Sequence, residues 1–169
     1  APLAEWDVTM KLEDDLVLPY PTEPFVKYDT ISDNVIEMHL FPGITGALAA
    51  AMLQPPVQGC IILAFGTGNG PSDNKEFMAA LKAANDSGVV LVDATQTHQG
   101  IVNLDEYATG NAFKDVGAVS AYDMTAEAAL SKLAWLLGRG LAPVDVRDQF
   151  VIPVAGEMTL PEDDPFYRE

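Results

Sequence analysis

The sequence predicts an α/β fold: a Rossmann-like three-layer domain in which a small parallel sheet of about four strands is flanked by helices. Apolar runs of strand length alternate along the chain with segments of helical periodicity, which is typical of parallel sheets with right-handed crossovers. These runs are nearly continuous, as expected when both faces of a strand are covered. A glycine-rich turn, Phe65–Pro71, directly follows one of them, at the position where such sheets bind ligands.

The first elements are separated by proline and glycine. Residues 1–34 are acidic and rich in proline, and they predict an extended linker with one strand near Trp6–Leu12. Val35–Leu40 is the first predicted strand of the sheet, because it is a largely apolar run that ends at a Pro-Gly pair. Ile44–Leu53 is rich in alanine and predicts a helix that stops before Pro55.

The middle of the chain repeats this alternation. Gly59–Phe65 and Val89–Asp93 are the second and third predicted strands, and Asp73–Asn85 between them is a predicted helix that ends before Gly88. Residues 94–115 then predict a long loop between the third strand and the fourth. Long loops in compact domains are often functional, but no residue in this one has an assigned role at this point.

The last elements end in an acidic segment. Val116–Ser120 predicts a short fourth strand, and Thr125–Leu137 a strongly periodic helix that Asp123 or Thr125 caps and that Gly138 and Gly140 end. Pro143–Phe150 predicts one more short helix. We therefore expect three segments: a linker or N-terminal extension at 1–34, an α/β domain at 35–152 and a poorly ordered acidic tail at 153–169.

Composition excludes several classes of partner. Nine Lys and Arg against 25 Asp and Glu give a net charge of −16, which argues against binding to nucleic acid or to an anionic membrane surface. No apolar run approaches the roughly 20 residues of a membrane-spanning helix, and no signal peptide is visible. Cys60 is the one cysteine, so no disulfide can form within the chain and a cytoplasmic location is expected.

The glycine-rich turn has two features of a dinucleotide site and two that oppose it. Its glycines follow a strand, and Asp93 ends the next strand, where a ribose-binding acid would lie. However, the glycines at 66, 68 and 70 form G-x-G-x-G instead of G-x-G-x-x-G, and Pro71 removes an amide that could hold a pyrophosphate. Asn69 offers a donor and an acceptor at the tip of the turn. Binding of a dinucleotide therefore stays open as an alternative.

No set of residues for nucleophilic or metal catalysis is recognisable. The chain has no G-x-S-x-G, S-x-x-K or Cys/His pairing, and its two histidines and single cysteine cannot form a metal cluster. We expect no cofactor and no metal. A second polar loop, Thr95–Gly100, follows the third strand, and its His98 is interpreted as a surface histidine instead of a general base.

Five motifs follow one another over about residues 38–138. They are Leu40-Phe41-Pro42-Gly43-Ile44, Phe65-Gly66-Thr67-Gly68-Asn69-Gly70-Pro71, Thr95-Gln96 with Gly100, Tyr107-Ala108-Thr109-Gly110-Asn111, and Asp123-Met124-Thr125 with Glu127-Ala128 and Lys132-Leu133. With these motifs in this order, the chain resembles the C-terminal domain of type I (cytoplasmic-type) L-asparaginases.

The resemblance implies that the whole protein hydrolyses L-asparagine to L-aspartate and ammonia with a threonine nucleophile. The family's nucleophile motifs, "TGGT" and "TDT", belong to an N-terminal domain and are absent from this sequence, so the resemblance implies no catalytic residue in this chain and no activity for the chain alone. It further implies a homo-oligomer, a dimer or a dimer of dimers, in which Asn69, Gly68 and Thr67 complete a substrate pocket.

Two departures from the family pattern concern an effector site. Thr97 stands where the family's "TQC" motif has cysteine, and Leu63 where some bacterial members have arginine. These departures oppose the feedback activation by asparagine that the resemblance implies for such members, and Thr95, Thr97 and His98 are kept as a possible effector site or second loop. Two other functions stay open: a non-catalytic amino-acid-binding module and the dinucleotide-binding domain considered above.

Overall fold

The structure is a computed structural model of the 169-residue chain. It describes residues 3–14, 17–97, 100–102, 104 and 108–160, with the backbone alone described at 108–111. The strands are β1 (Ala4–Trp6), β2 (Met10–Leu12), β3 (Val35–His39), β4 (Gly59–Ala64), β5 (Val90–Thr95) and β6 (Val119–Ser120). The helices are α1 (Gly46–Met52), α2 (Lys75–Asp86), α3 (Ala108–Asp115), α4 (Ala126–Gly138) and α5 (Pro143–Phe150).

A four-stranded parallel sheet forms the centre of the domain, with the strand order β3-β4-β5-β6. Every residue of β4 and β5 is buried, which explains why the sequence of both strands is almost continuously apolar. Each later strand is added beside the previous one through a helical crossover, as the alternation of elements predicts.

Helices cover both faces of the sheet and make the three layers. Leu91 of β5 lies in the core cluster that also holds Phe77 of α2 and Phe113 of α3. Val92, the next residue of the strand, lies in a second cluster with Leu133 of α4. Alternate residues of a strand point to opposite faces, so β5 supplies side chains to both clusters. The predicted fold class is confirmed.

Side-chain caps begin both of the longer helices, at Thr125, as the sequence predicts, and at Asn74, where the sequence predicts a helix from Asp73 and no cap. The Thr125 side chain accepts a hydrogen bond from the Ala128 amide at the start of α4, and Asn74 does the same for α2. Asp123, the other candidate cap of α4, instead accepts from the amide of Thr159 at 2.6 Å. Gly140 lies just after the end of α4 with a φ of +70°, which confirms its role in ending the helix.

One predicted loop contains a helix. Residues 108–115 form α3 although Thr109, Gly110 and Asn111 are poor helix formers. Phe113 on this helix is completely buried in the core. The burial of this side chain accounts for a helix that the intrinsic preferences of the segment oppose.

The N-terminal segment differs from the predicted linker at both of its ends. The single strand predicted near Trp6–Leu12 is an antiparallel hairpin of β1 and β2. Residues 28–34 pack against α4: the Thr30 hydroxyl donates to the carbonyl of Gly138 at 2.7 Å, and the Tyr28 and Trp135 rings meet edge to face. A Cβ on Gly138 would lie 2.5 Å from the Thr30 carbonyl oxygen, so glycine permits this close approach.

The segment after α5 also packs onto the domain. Met158 is buried in the cluster on the α4 face, and Lys132 of α4 forms an ion pair with Glu157. Residues 153–160 are therefore ordered by contacts, whereas the sequence predicts a poorly ordered tail there. Residues 161–169 lie outside the described part of the chain. None of the helices described is long and apolar enough to pass through a membrane.

Candidate functional site

Loops from three neighbouring strands meet at one edge of the sheet. The turn at 40–44 follows β3, the glycine loop, residues 65–71, follows β4, and the second loop at 95–97 follows β5. Parallel strands place their carboxyl ends side by side, and open α/β sheets bind ligands at this edge. The edge is therefore the candidate site.

The glycine loop is a narrow turn that closes on itself. The amide of Phe65 donates to the carbonyl of Asn69, and the Asn69 amide donates back to the Phe65 carbonyl, both at 2.8 Å. Gly66 and Gly68 have φ values of +52° and +102°, a region of the backbone that favours glycine. The pairing places Asn69 at the base of the turn, whereas the sequence predicts it at the tip. Thr67 lies between the two glycines and is half-buried.

Two glycines of the loop rest directly on buried side chains. A Cβ on Gly68 would lie 2.8 Å from Oδ2 of Asp93 and 2.8 Å from a methyl group of Val102. A Cβ on Gly70 would lie 2.4 Å from the ring of Phe113 on α3. A larger residue would have to displace these side chains, so the loop stays in place only with glycine at both positions.

The second loop holds the glycine loop by a side-chain hydrogen bond. The Thr95 hydroxyl donates to the carbonyl oxygen of Gly66. The same hydroxyl oxygen accepts a hydrogen bond from the Thr97 amide at 3.0 Å, and the Thr97 hydroxyl lies 2.9 Å from it. Thr95 is buried and Thr97 exposed. Of the proposed effector residues, these two are brought together, and His98 lies outside the described residues.

Gln96 joins the second loop to the first turn. It is not one of the site residues that the sequence predicts. Its side-chain NH₂ donates to the carbonyl oxygens of Leu40 at 2.6 Å and Leu63 at 2.7 Å. A glutamine between two threonines at the end of a strand only weakly indicates such a bridging role. Its role depends on the adjacent ends of β3 and β4, which no local pattern specifies.

Asp93 is the unusual group of the site. It is 0% exposed, and neither carboxyl oxygen has a hydrogen-bond partner among the residues that the structure describes. Burial raises the pKa of this carboxyl well above its ordinary value, because the charged form loses its hydration. An acid that binds ribose must reach the ligand, and this one faces the underside of Gly68. Asp93 therefore no longer supports a dinucleotide-binding site.

The described residues offer neither a reactive thiol nor a metal site. Burial raises the pKa of the Cys60 thiol to about 12, although a backbone hydrogen bond at Met38 lowers it slightly, so the reactive thiolate does not form near neutral pH. In residues 3–14, 17–97, 100–102, 104 and 108–160, no three His, Cys, Asp or Glu side chains are grouped as metal ligands would be.

An apolar groove of about 350 Å³ lies on the face of the sheet that α4 covers. It runs between α4 and the segment after α5, and its lining residues are Ala128, Ser131, Lys132, Trp135, Val154, Ala155 and Glu157. None of these residues belongs to the three loops. The groove is therefore separate from the candidate site.

Known proteins match both the sequence and the fold. A family model described as the glutaminase/asparaginase C-terminal domain matches residues 34–150. Over 137 residues the chain is 40% identical to the 60 kDa lysophospholipase of Homo sapiens, which covers 80% of this chain and 24% of that protein. Over 124 residues it is 40% identical to L-asparaginase 1 of Escherichia coli K12, which covers 73% and 36% respectively.

A solved structure agrees with these matches. L-asparaginase I from Vibrio cholerae superposes on the chain with a TM-score of 0.88 at 38% identity, covering 94% of this chain and 48% of that one. The chain thus spans between about a quarter and about half of the length of these relatives. The resemblance seen in the sequence motifs is confirmed: this chain belongs to the glutaminase/asparaginase family and carries that family's C-terminal domain.

Proposed function

We propose that the chain is the substrate-positioning and dimerising part of an L-asparaginase, an amidohydrolase that converts L-asparagine to L-aspartate and ammonia. One observation carries the proposal: the glycine loop, with Asn69 at its base, is fixed at the ligand-binding edge of a domain whose relatives include L-asparaginases. A loop fixed by hydrogen bonds on both sides can position a substrate without reorganising.

The proposed role of Asn69 is to bind the α-amino or carboxylate group of the substrate through its side-chain amide. Thr67 offers a hydroxyl beside it, whereas the Gly68 amide already donates to the Phe65 carbonyl at 3.1 Å. Gly68 therefore contributes the shape of the loop and does not offer its amide to the substrate. The nucleophile is a threonine outside this chain, because the 169 residues contain no matching motif, and the chain alone is inactive.

The expected setting is a cytoplasmic homo-oligomer, a dimer or a dimer of dimers, in which this domain completes the pocket of a neighbouring subunit. The net charge of −16 opposes nucleic acid and membrane surfaces as partners. Thr95, Thr97 and His98 remain a candidate effector site, although Leu63 in place of the arginine of some bacterial members opposes activation by asparagine there.

A chimera tests the proposal. This chain replaces the corresponding domain of the Escherichia coli L-asparaginase 1, its 40% identical relative, and ammonia release from asparagine is measured. Activity is expected for the chimera and none for the chain alone. In the chimera, Asn69→Ala should raise KM by about tenfold or more, since a hydrogen bond to a charged group is lost. Gln54→Ala, which removes an exposed amide before β4, is the matched control.

Several outcomes would overturn this assignment. Ammonia release by the purified chain alone would place the nucleophile within it, and an unchanged KM in the Asn69→Ala chimera would exclude the role of Asn69. Tight binding of asparagine or aspartate to the chain alone, measured by calorimetry, would favour the non-catalytic binding module. Binding of a nicotinamide cofactor would restore the dinucleotide alternative.

The name of the human relative, 60 kDa lysophospholipase, supports a second candidate activity. Hydrolysis of an ester and of an amide both transfer an acyl group to a nucleophile and then to water. The chimera assay therefore includes a lysophospholipid, and release of fatty acid without ammonia would replace asparagine as the proposed substrate.

A further inference from the structure

Asp93 is a buried acid that the proposed function does not use. It lies near the carboxyl end of β5, in the sheet between Ile62 of β4 and Ser120 of β6. Its carboxyl is completely buried, and no residue in the described part of the chain forms a hydrogen bond with it. Its Oδ2 lies directly beneath Gly68, so closely that a Cβ there would approach to 2.8 Å.

No described charge compensates this carboxyl. The two strand neighbours are Ile62 and Ser120, and the Ser120 hydroxyl donates to the carbonyl of Val102 instead. Among the described residues of the helices on this face, α1 has no charged side chain. The charged side chains described on α2, on α3 and just before α2 are all exposed: Asp73, Lys75, Glu76, Lys82, Asp86, Lys114 and Asp115.

The two protonation states of Asp93 therefore need different surroundings. A neutral carboxyl can remain packed under the loop at a modest cost, whereas a carboxylate without a partner needs water. Gly68 lies over Oδ2 and has no side chain that could turn away, so a water molecule can reach this oxygen from the side of the loop only if the loop moves.

We propose that Asp93 is a positioning residue for the glycine loop: its neutral carboxyl supports Gly68 from below, and loss of its proton lifts the loop and displaces Asn69. The movement of the loop follows from the packing alone. Its effect on substrate rests on the proposed function, because only then does the position of Asn69 set the affinity for asparagine.

Nuclear magnetic resonance of the labelled chain tests the proposal without any substrate. The ¹³C shift of the Asp93 carboxyl and the amide shifts of Gly66, Gly68 and Asn69 are followed as pH is raised. All should change with one midpoint above the usual range of an aspartate, and protection of the loop amides against exchange should fall by about tenfold across it. Asp93→Asn should show no transition in the loop, and Asp145→Asn, an exposed acid of α5, should behave like the unmodified chain.

The chimera gives the functional readout. KM for asparagine should rise with pH through the same midpoint while kcat stays unchanged, and Asp93→Asn should remove this rise. The proposal is wrong if the Asp93 carboxyl titrates at an ordinary pH, if the loop amides do not follow it, or if Asp93→Asn retains the transition. Should Asp93→Asn fail to fold, coincidence of the two midpoints in the unmodified chain still decides. If the chimera is inactive but the Asp93 carboxyl and the loop amides share one midpoint, the proposed function is rejected and the role of Asp93 stands.

Discussion

Single polar residues fix the loops of the candidate site. The Thr95 hydroxyl is hydrogen-bonded to the Gly66 carbonyl, and the Gln96 side chain bridges the ends of β3 and β4. The Leu63 carbonyl already accepts from the Leu40 amide at 3.0 Å, and Gln96 adds a second hydrogen bond to it and one to the Leu40 carbonyl. The loops are therefore held by specific bonds, and their shape should respond to the loss of a single hydroxyl.

Thr95→Val tests whether the loops depend on the single hydroxyl of Thr95. Valine keeps the shape of threonine but removes the hydroxyl, so the Gly66 carbonyl and the Thr97 amide each lose a hydrogen bond, and the free energy of unfolding should fall by about 1–3 kcal/mol. Thr95→Ser keeps the hydroxyl and loses one methyl group, which should cost about 0.8 kcal/mol. Urea denaturation measures both. Equal losses in the two variants would mean that the methyl group matters and the hydrogen bond does not.

Helix α4 contacts three different parts of the molecule. It packs on the sheet through Leu133, receives residues 28–34 of the N-terminal segment, and holds the segment after α5 through Lys132. The ammonium group of Lys132 donates to the carbonyl of Ile152 at 2.7 Å and to Glu157 at 2.5 Å. A single buried lysine thus connects the helix to a segment that has no regular structure of its own.

The ion pair on α4 predicts a dependence of stability on acid pH. Burial alone would raise the pKa of Glu157, but the Lys132 ammonium and the amides of Ala155, Glu157 and Val154 lower it to about 2. The pair therefore stabilises the fold fully above the ordinary glutamate pKa, near 4.3, and this contribution is lost as pH falls from there towards 2.

Glu157→Gln should remove that dependence. At pH 7 the variant should lose about 2 kcal/mol of unfolding free energy, because a charge-assisted hydrogen bond is replaced and Lys132 keeps its charge. Near pH 2 the loss should disappear. Asp86→Asn, which breaks the exposed pair with Lys82, is the control and should change stability by less than about 0.5 kcal/mol. A loss that is equal at both pH values would contradict the ion-pair explanation.

At the scale of the whole molecule, charge and exposed apolar surface act against each other. The N-terminal segment carries large apolar side chains in water, with Trp6 78% exposed and Tyr20 and Phe25 each 91% exposed. Apolar surface of this kind favours association, whereas a charge of −16 on each copy opposes it.

Salt should therefore strengthen association between copies of the chain. Raising NaCl from about 20 to about 200 mM shortens the range of the repulsion and should lower the Kd for self-association by about tenfold. Sedimentation equilibrium measures it, with sucrose as a control that does not screen charge. A chain that stays monomeric at both salt concentrations would contradict the homo-oligomer in the proposed function.

The sequence alone determined the parallel α/β fold, the sheet strands and most of the helices, because these depend on the local preferences of the residues and on burial, which produces a periodic pattern of apolar residues. It also determined the family, through the five motifs. The cap at Thr125 and the glycines at 66 and 68 were equally predictable, since each satisfies a local backbone requirement. Only the tertiary structure decided α3, the burial of Asp93, and the bond from Thr95 to Gly66. These depend on contacts between residues far apart in the chain, such as Phe113 with Gly70, and such contacts leave no local pattern from which they could be predicted.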